Sequence, residues 1–259
     1  MAGNVYDDPA FHGAYACLAR STAGLDGAPE WETLRGMLPV VRDARVLDLG
    51  CGFGAFARWA RSEGARSVVG IDGSHAMLAR AREHGNDAGI RYVLGDLETV
   101  GLGGVGSAGD GGGLIDLVFS SLALHYVVDL AGLFARVHAA LRPGGQFVFS
   151  VEHPIYLAPS APQWLPGASG VGSVWPLDGY AMEGPRDVAW LGSTVRKQHR
   201  TVATYVNSLL AAGFALRRLE EWCPSEAQVQ AQPAWAIERH RPYFLLVAAQ
   251  RGGGVSATT

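Results

Sequence analysis

The stretch VLDLGCGFGAFARWA, residues 46–60, decides how this chain is read. A short apolar run passes straight into a glycine-rich turn, and a helical spacing of apolar residues follows. Glycines let the backbone approach a ligand, and a helix N-terminus offers unpaired N–H groups, so nucleotide-type ligands are commonly held at such turns. Gly50, Gly52 and Ala55 even satisfy the G-x-G-x-x-A form of the dinucleotide fingerprint. Asp48, however, stands two residues before the first glycine, where it is a poor neighbour for a pyrophosphate. The ligand that welcomes a carboxylate there sets the chemistry.

Outward from the turn the chain alternates. SVVGID (67–72), IRYVLGD (90–96), LIDLVFSS (114–121) and QFVFSVE (146–152) read as further buried strands. Helices read over 55–64, 75–85 and 129–141, the first two stopping at Gly64 and Gly85, and RPGG at 142–145 reads as a turn. A helix over 201–213 precedes two last strands, 214–222 and 243–251, with a short helix between them. Strands apolar on both faces, alternating with helices, predict an α/β fold. It is a Rossmann-like, mostly parallel sheet of seven strands with helices on both faces. Residues 1–40 read as short aromatic-rich helices, and 153–200 as a Pro-, Gly- and Trp-rich insertion without clear periodicity. The glycine-rich stretch at 101–113 lacks a following helix and a Lys-Ser/Thr pair, so it reads as a surface loop rather than a phosphate cradle.

In an open parallel sheet, ligands sit at the C-terminal strand ends near the topological switch point. Asp48 and the glycines Gly50, Gly52 and Gly54, with Cys51 among them, close the first strand. Asp72 and Gly73 close the second, about 20 residues on, the spacing at which a carboxylate grips both ribose hydroxyls. Asp96 and Leu97 close the third, Ser120 and Ser121 the fourth, and Met77 lies at the start of the second helix. A ligand with a ribose, an adenine and a cationic amino-acid end, but no phosphate, fits this set. Asp72 takes the ribose, Asp96 the adenine amine beside Leu97, and Asp48 the cationic end. That ligand is S-adenosylmethionine, with S-adenosylhomocysteine as its product.

The chain resembles the class I S-adenosylmethionine-dependent methyltransferases. VLDLGCGFG resembles their first motif, VVGIDGS the second, GD at 95–96 the third, IDLVFSSLALHYVVD the fourth and LRPGGQFVFSVEHP the fifth, in order over residues 46–153. YDDPAFHGAYACLARS, KQHRTVATYVNSLLAAGF and RPYFLLVAAQR further resemble a bacterial small-molecule branch that includes indole and phenol carbon-methyltransferases of specialised metabolism. The resemblance implies one methyltransferase domain over 1–259. It comprises an N-terminal helical lid (1–40), a cofactor-binding core (41–152), an acceptor-side insertion (153–200), and a C-terminal helix with the last two strands (201–251). SSLA stands where nucleobase and glutamine amino-methylating relatives carry an N/D-P-P-Y pattern, which points away from nucleic-acid and protein acceptors.

An acceptor hydroxyl, amine or ring carbon needs a base or a hydrogen-bonding orienter beside the cofactor. His125, just past the fourth strand, is the first candidate, active when neutral and hence above about pH 6.5. His153 and Tyr156, past the fifth, follow, with Glu152 behind them, whereas His199 and Arg200 read as interior hydrogen-bonding residues. Aromatics suited to lining or closing the acceptor site are Tyr6, Phe11, Tyr15, Tyr126, Trp164, Trp175 and Tyr180. They favour an aromatic or heteroaromatic small molecule. Three other readings stand beside methylation of an indole- or phenol-type ring carbon: an N- or O-methyltransferase of another small metabolite, an NAD-dependent oxidoreductase, opposed by Asp48, and a cofactor-binding module without catalysis.

Composition sets the outer bounds. The 259 residues are 48% hydrophobic with a net charge of −3, and among 21 basic residues Lys197 is the single lysine. No basic stripe marks a nucleic-acid partner, and no apolar run reaches the ~20 residues that span a bilayer. Cys17, Cys51 and Cys223 form neither a disulfide framework nor a metal pattern, so no metal is expected and a cytoplasmic setting is. The expected assembly is a monomer or homodimer.

Overall fold

The computed structural model describes residues 4–103, 114–167 and 172–252. Most of the glycine-rich 101–113 stretch lies outside the described residues. Among the described residues, six α-helices and five strands build the first half, alternating for the most part from β1 onward. They are α1 (Pro9–Ala16), α2 (Ala19–Thr22), α3 (Trp31–Arg35), β1 (Arg45–Leu49), α4 (Ala55–Ser62), β2 (Ser67–Asp72), α5 (His75–Glu83), β3 (Ile90–Leu94), β4 (Ile115–Ser121), α6 (Leu130–Ala140) and β5 (Leu141–Glu152). The second half holds α7 (Pro154–Leu157), the two-residue strands β6 (Leu165–Pro166) and β7 (Ser173–Val174), β8 (Gly184–Trp190), β9 (Ser193–His199), α8 (Val202–Ala211), β10 (Phe214–Trp222), α9 (Glu226–Ala231) and β11 (Phe244–Arg251).

Local chemistry sets the helix ends. Ser74, Asp129 and Thr201 cap α5, α6 and α8, each side chain accepting a first-turn N–H. Gly64 and Gly213, at φ +92° and +91°, end α4 and α8 in the left-handed conformation that lets the chain leave a helix.

The seven main strands pair in the order β10-β11-β5-β4-β1-β2-β3. Only β11 runs antiparallel to its neighbours β5 and β10. Chain order reverses beside β1, whose neighbours are β2 and β4, so the switch-point crevice opens at the C-terminal ends of β1 and β4. Alternate side chains feed two cores. Leu47, Leu49, Phe147 and Phe149 pack on α6 and α8, while Val46, Leu117, Phe119 and Val148 pack on α3 and α4. Among the described residues no helix is long and apolar enough to cross a membrane.

Two stretches depart from the sequence expectation. RPGG is not a free turn: β5 starts at Leu141, and the register slips between Ile115 and Leu117, so these residues bulge within the strand. The region read as aperiodic contains a regular antiparallel hairpin, β8–β9. Its two-residue turn, Leu191-Gly192, has φ +50° and +78°, the backbone of a primed hairpin turn. Leucine is not a residue that announces such a turn, so the hairpin carries no turn signal at its tip.

Candidate active site

The glycine turn after β1 is fixed by its own backbone. The N–H groups of Gly50 and Cys51 both donate to the Ile71 carbonyl, at 2.8 and 3.0 Å. Gly50 has φ +73° and a Cβ there would stand 2.3 Å from that of Ala123, so only glycine fits between the β1 and β4 loops. Gly52, also left-handed at +50°, faces open space on the cavity side and donates its N–H to Asp72 Oδ2 at 2.9 Å. Ser74 N–H donates to Asp72 Oδ1 at 2.9 Å. Burial still holds the Asp72 carboxyl above the usual carboxylate range, against the pull of these N–H groups. Asp48 is 2% exposed, and burial together with the charge of Asp72 pushes its carboxyl well up. Its Oδ2 has no hydrogen-bond partner. Two adjacent carboxylates, one with an orphaned oxygen, call for a cation and repel a phosphate.

A cavity of about 1510 Å³ opens over this turn. Its cofactor end is lined by Gly50, Gly52, Asp72 and Gly73, and by Met77, Asp96 and Leu97. Its other end is lined by Ser121, His125, Tyr126, Glu152, Tyr156 and Lys197, with Arg20 and Trp190. His125 Nδ1 accepts the Glu152 N–H at 3.4 Å, so the proton of the neutral ring sits on Nε2. Burial, then the charges of Lys197, Arg200 and Arg20, hold its pKa well below the ordinary histidine value. Lys197 Nζ donates to Glu152 Oε1 at 2.5 Å, and Glu152 Oε2 is a buried acceptor without a donor. The N-terminal segment contributes Tyr6, Asp7 and Tyr15 to the lining. Tyr6 and Tyr126 share a hydrogen bond of 2.8 Å through their hydroxyls, and Tyr15 meets Phe53 and Trp190 edge-on. Asp7 accepts from Ser74 Oγ at 2.6 Å and from Ala76 N–H at 2.9 Å, tying this segment to the N-terminus of α5.

The pattern of the methyltransferase-domain family matches residues 47–149. A solved structure of an S-adenosylmethionine-dependent methyltransferase from Mesorhizobium loti is 53% identical and superposes with a TM-score of 0.81, covering 88% of this chain and 100% of that one. The chain belongs to the class I S-adenosylmethionine-dependent methyltransferases. Among curated relatives of this methyltransferase, a malonyl-[acyl-carrier protein] O-methyltransferase from Enterobacter lignolyticus is 36% identical over 119 residues, 46% of this chain and 43% of that one. A trans-aconitate 2-methyltransferase from Deinococcus radiodurans is 34% identical over 122 residues, 47% of this chain and 42% of that one. The chain spans less than half the length of these two. The methyltransferase uses S-adenosylmethionine, and the open face of Gly52 with the Asp72 carboxylate on the cavity lining suits its cationic amino-acid end, while the orphaned Asp48 oxygen adds negative charge from outside the lining. When bound, the cofactor supplies a methyl group activated by a sulfonium.

Not every residue singled out in the sequence reaches the cavity of the methyltransferase: Asp48, 2% exposed, is not among its lining residues. His153 is fully buried and serves α7: its Nδ1 accepts the Ile155 N–H at 3.1 Å and its Nε2 lies 2.9 Å from Glu221 Oε1. It is a helix cap bound to a β10 carboxylate, set apart from the lining. Trp164 and Trp175 surround Arg241 instead, together with Tyr156 and Tyr243, with its Cζ 5.1, 4.0, 4.7 and 5.1 Å from the four ring centroids. Tyr180 accepts from Val202 N–H and, through its carbonyl, from His199. Phe11 is fully buried against Tyr6 and Trp190. Ser120 donates to the Leu49 carbonyl, Cys51 is buried with its N–H spent on β2, and Gly54 lies under Tyr92. Arg200 donates to the carbonyls of Val127 and Val128, an interior role. The residues missed are Lys197 and Arg20. The lone lysine in a chain that otherwise uses only arginine was the available signal.

Proposed function

We propose that the methyltransferase alkylates a planar aromatic or heteroaromatic small molecule at a ring carbon, activated by a neighbouring phenol O–H or indole-type N–H. The observation that carries this reading is Glu152. It lines the ring-walled end of the cavity, holds Lys197 through one oxygen, and leaves the other buried without a donor. An acidic ring O–H or N–H is the donor it lacks. Glu152 takes that proton, and the electron pair released into the ring makes the adjacent carbon the nucleophile. A carbon–carbon bond forms to the methyl as the carbon–sulfur bond breaks, its pair remaining on sulfur as a thioether. Glu152 returns its proton as the ring C–H proton leaves, so one proton is released overall.

The other groups position. His125, neutral and protonated on Nε2, donates a hydrogen bond rather than accepting one, which replaces the general-base role expected from the sequence. Tyr6, Tyr15 and Trp190 wall the ring, and the N-terminal segment acts as the lid that excludes water. Label transfer from S-adenosylmethionine to indole and phenol acceptors, compared with their N- and O-methylated forms, tests the reading. Free N–H or O–H compounds are expected to take a ring methyl, and Glu152→Gln to lose it with cofactor binding retained. Equal transfer to the blocked compounds would remove Glu152 from the chemistry. A second reading, methylation of a carboxylate oxygen, is favoured by the acceptors in the names of the two half-length relatives, malonyl and trans-aconitate. Label released by mild alkaline hydrolysis would mark that ester.

A further inference from the structure

The acceptor end carries more positive charge than the proposed ring chemistry needs. Lys197 is 2% exposed, yet its residue lines the cavity and its ammonium lies 5.2 Å from the Trp190 ring centroid. Of its three N–H donors, one goes to Glu152 Oε1. Arg20, also on the lining, makes two bonds to the buried carboxylate of Glu30, at 3.0 and 3.2 Å. Arg200, 8% exposed and not on the lining, is bound to two carbonyls, its Nη1 has no partner, and its charge acts on His125. Three cations therefore meet two carboxylates around His125. The ring itself registers this, since every charge that shifts it is positive. A buried lysine is costly unless its donors are used and its charge is balanced. The cofactor end cannot supply the balance, because Asp48 and Asp72 are committed to a cationic ligand.

We infer that the acceptor is an aromatic acid, whose carboxylate is seated against Lys197 while its ring lies beside Trp190, and that Lys197 is the specificity-determining residue of this site. The inference rests on the reading of the site as one for a planar ring. It adds the anionic handle. The carboxylate completes the donors of Lys197, takes up the surplus positive charge and leaves Glu152 Oε2 for the acceptor's N–H or O–H. The Nε2–H of His125 is the third donor at this end, and it suits an anion for the same reason that it cannot serve as a base.

The test compares matched pairs on the enzyme saturated with S-adenosylhomocysteine: indole-5-carboxylate against its carboxamide, and 4-hydroxybenzoate against its amide, by calorimetry. Each acid is expected to bind about tenfold or more tightly than its amide, the scale of a charge-assisted pair in a dry site. Lys197→Met should bring acid and amide within about twofold, and Lys197→Arg should keep most of the preference. Lys197 and the N-terminal amine are the chain's amines, so a bound acid should also shield Lys197 from an amine-reactive reagent, read by peptide mass without any variant. Equal affinity for acid and amide, or a preference that survives in Lys197→Met, would overturn the inference. If acids are preferred but no ring is methylated, the anionic handle stands and the ring-carbon reading falls. If amides are methylated as well as acids, the reverse holds. Failure of every aromatic pair to bind would reject both.

Discussion

The cofactor end and the acceptor end of the one cavity are made in opposite ways. At the cofactor end, Asp48, Asp72 and Asp96 sit at or just past the ends of β1, β2 and β3, and backbone N–H groups of the glycine turn and of Ser74 hold Asp72 in place. At the acceptor end, Arg20, His125, Glu152 and Lys197 come from four distant parts of the chain, and side chains hold one another through an ion pair and ring contacts. The first end is acidic and built on strand tips. The second is basic and assembled from the tip of β5, a loop, a hairpin and the N-terminal segment. A site made by backbone geometry is tied to its fold and keeps its ligand. A site made by side chains on insertions can change its ligand while the sheet stays as it is.

That contrast can be broken most sharply at His125. His125→Ala should cut turnover by about 10²–10³-fold, the loss of one oriented donor, with affinity for S-adenosylhomocysteine unchanged. Stopped assays and calorimetry on the same sample check both halves, and a matching loss of cofactor affinity would merge the two ends. Because burial and three cations hold the ring's pKa well below 6.5, the rate should stay flat as pH falls through 6.5. A fall centred there would mean an ordinary, solvated histidine. The same shift has a stability sign: below about pH 6.5 the unfolded chain takes up a proton that the folded ring refuses, so His125 costs stability progressively as pH drops.

At the other end, Asp72→Ala should weaken S-adenosylhomocysteine binding by about 1.5–3 kcal/mol, the scale of bonds to a charged group. Turnover at saturating cofactor should change far less. Asp48→Asn sharpens the point, because its carboxyl is raised well above the ordinary value. With its native pKa above the unfolded one, the ionised group is a cost to the folded protein at neutral pH, relieved as pH falls through the raised value. The variant should therefore raise the melting temperature without ligand while weakening cofactor binding. A lower melting temperature would mean that the buried carboxylate is already paired. The smallest effect is expected at His153→Ala, a lost helix cap: about 0.5–2 kcal/mol of stability and less than a twofold change in turnover, read by thermal melts and initial rates.

Legibility in the sequence followed the same divide. Strand tips, glycines and the spacing of Asp48 and Asp72 lie within thirty consecutive residues, so local pattern carries the cofactor end and the sheet. The acceptor end depends on which distant side chains meet. Nothing near His153 indicates that Glu221 will claim it, and nothing near Trp164 or Trp175 indicates that Arg241 will draw them away. The β8–β9 hairpin that delivers Lys197 hides behind a left-handed leucine. Leu122, φ +54°, does the same at the end of β4, where it turns the chain so that His125 and Tyr126 come back over the cavity.

If the two ends are separate, S-adenosylhomocysteine titrated into Lys197→Met will not register the substitution. Lys197 is buried in the same cavity as Asp72, so a diffuse site would feel its loss throughout. The affinity is expected to stay within about twofold of the unmodified enzyme, since substitutions without shared partners act independently. A loss as large as that of Asp72→Ala would show one coupled site, and the division into an acidic cofactor end and a basic acceptor end would fail.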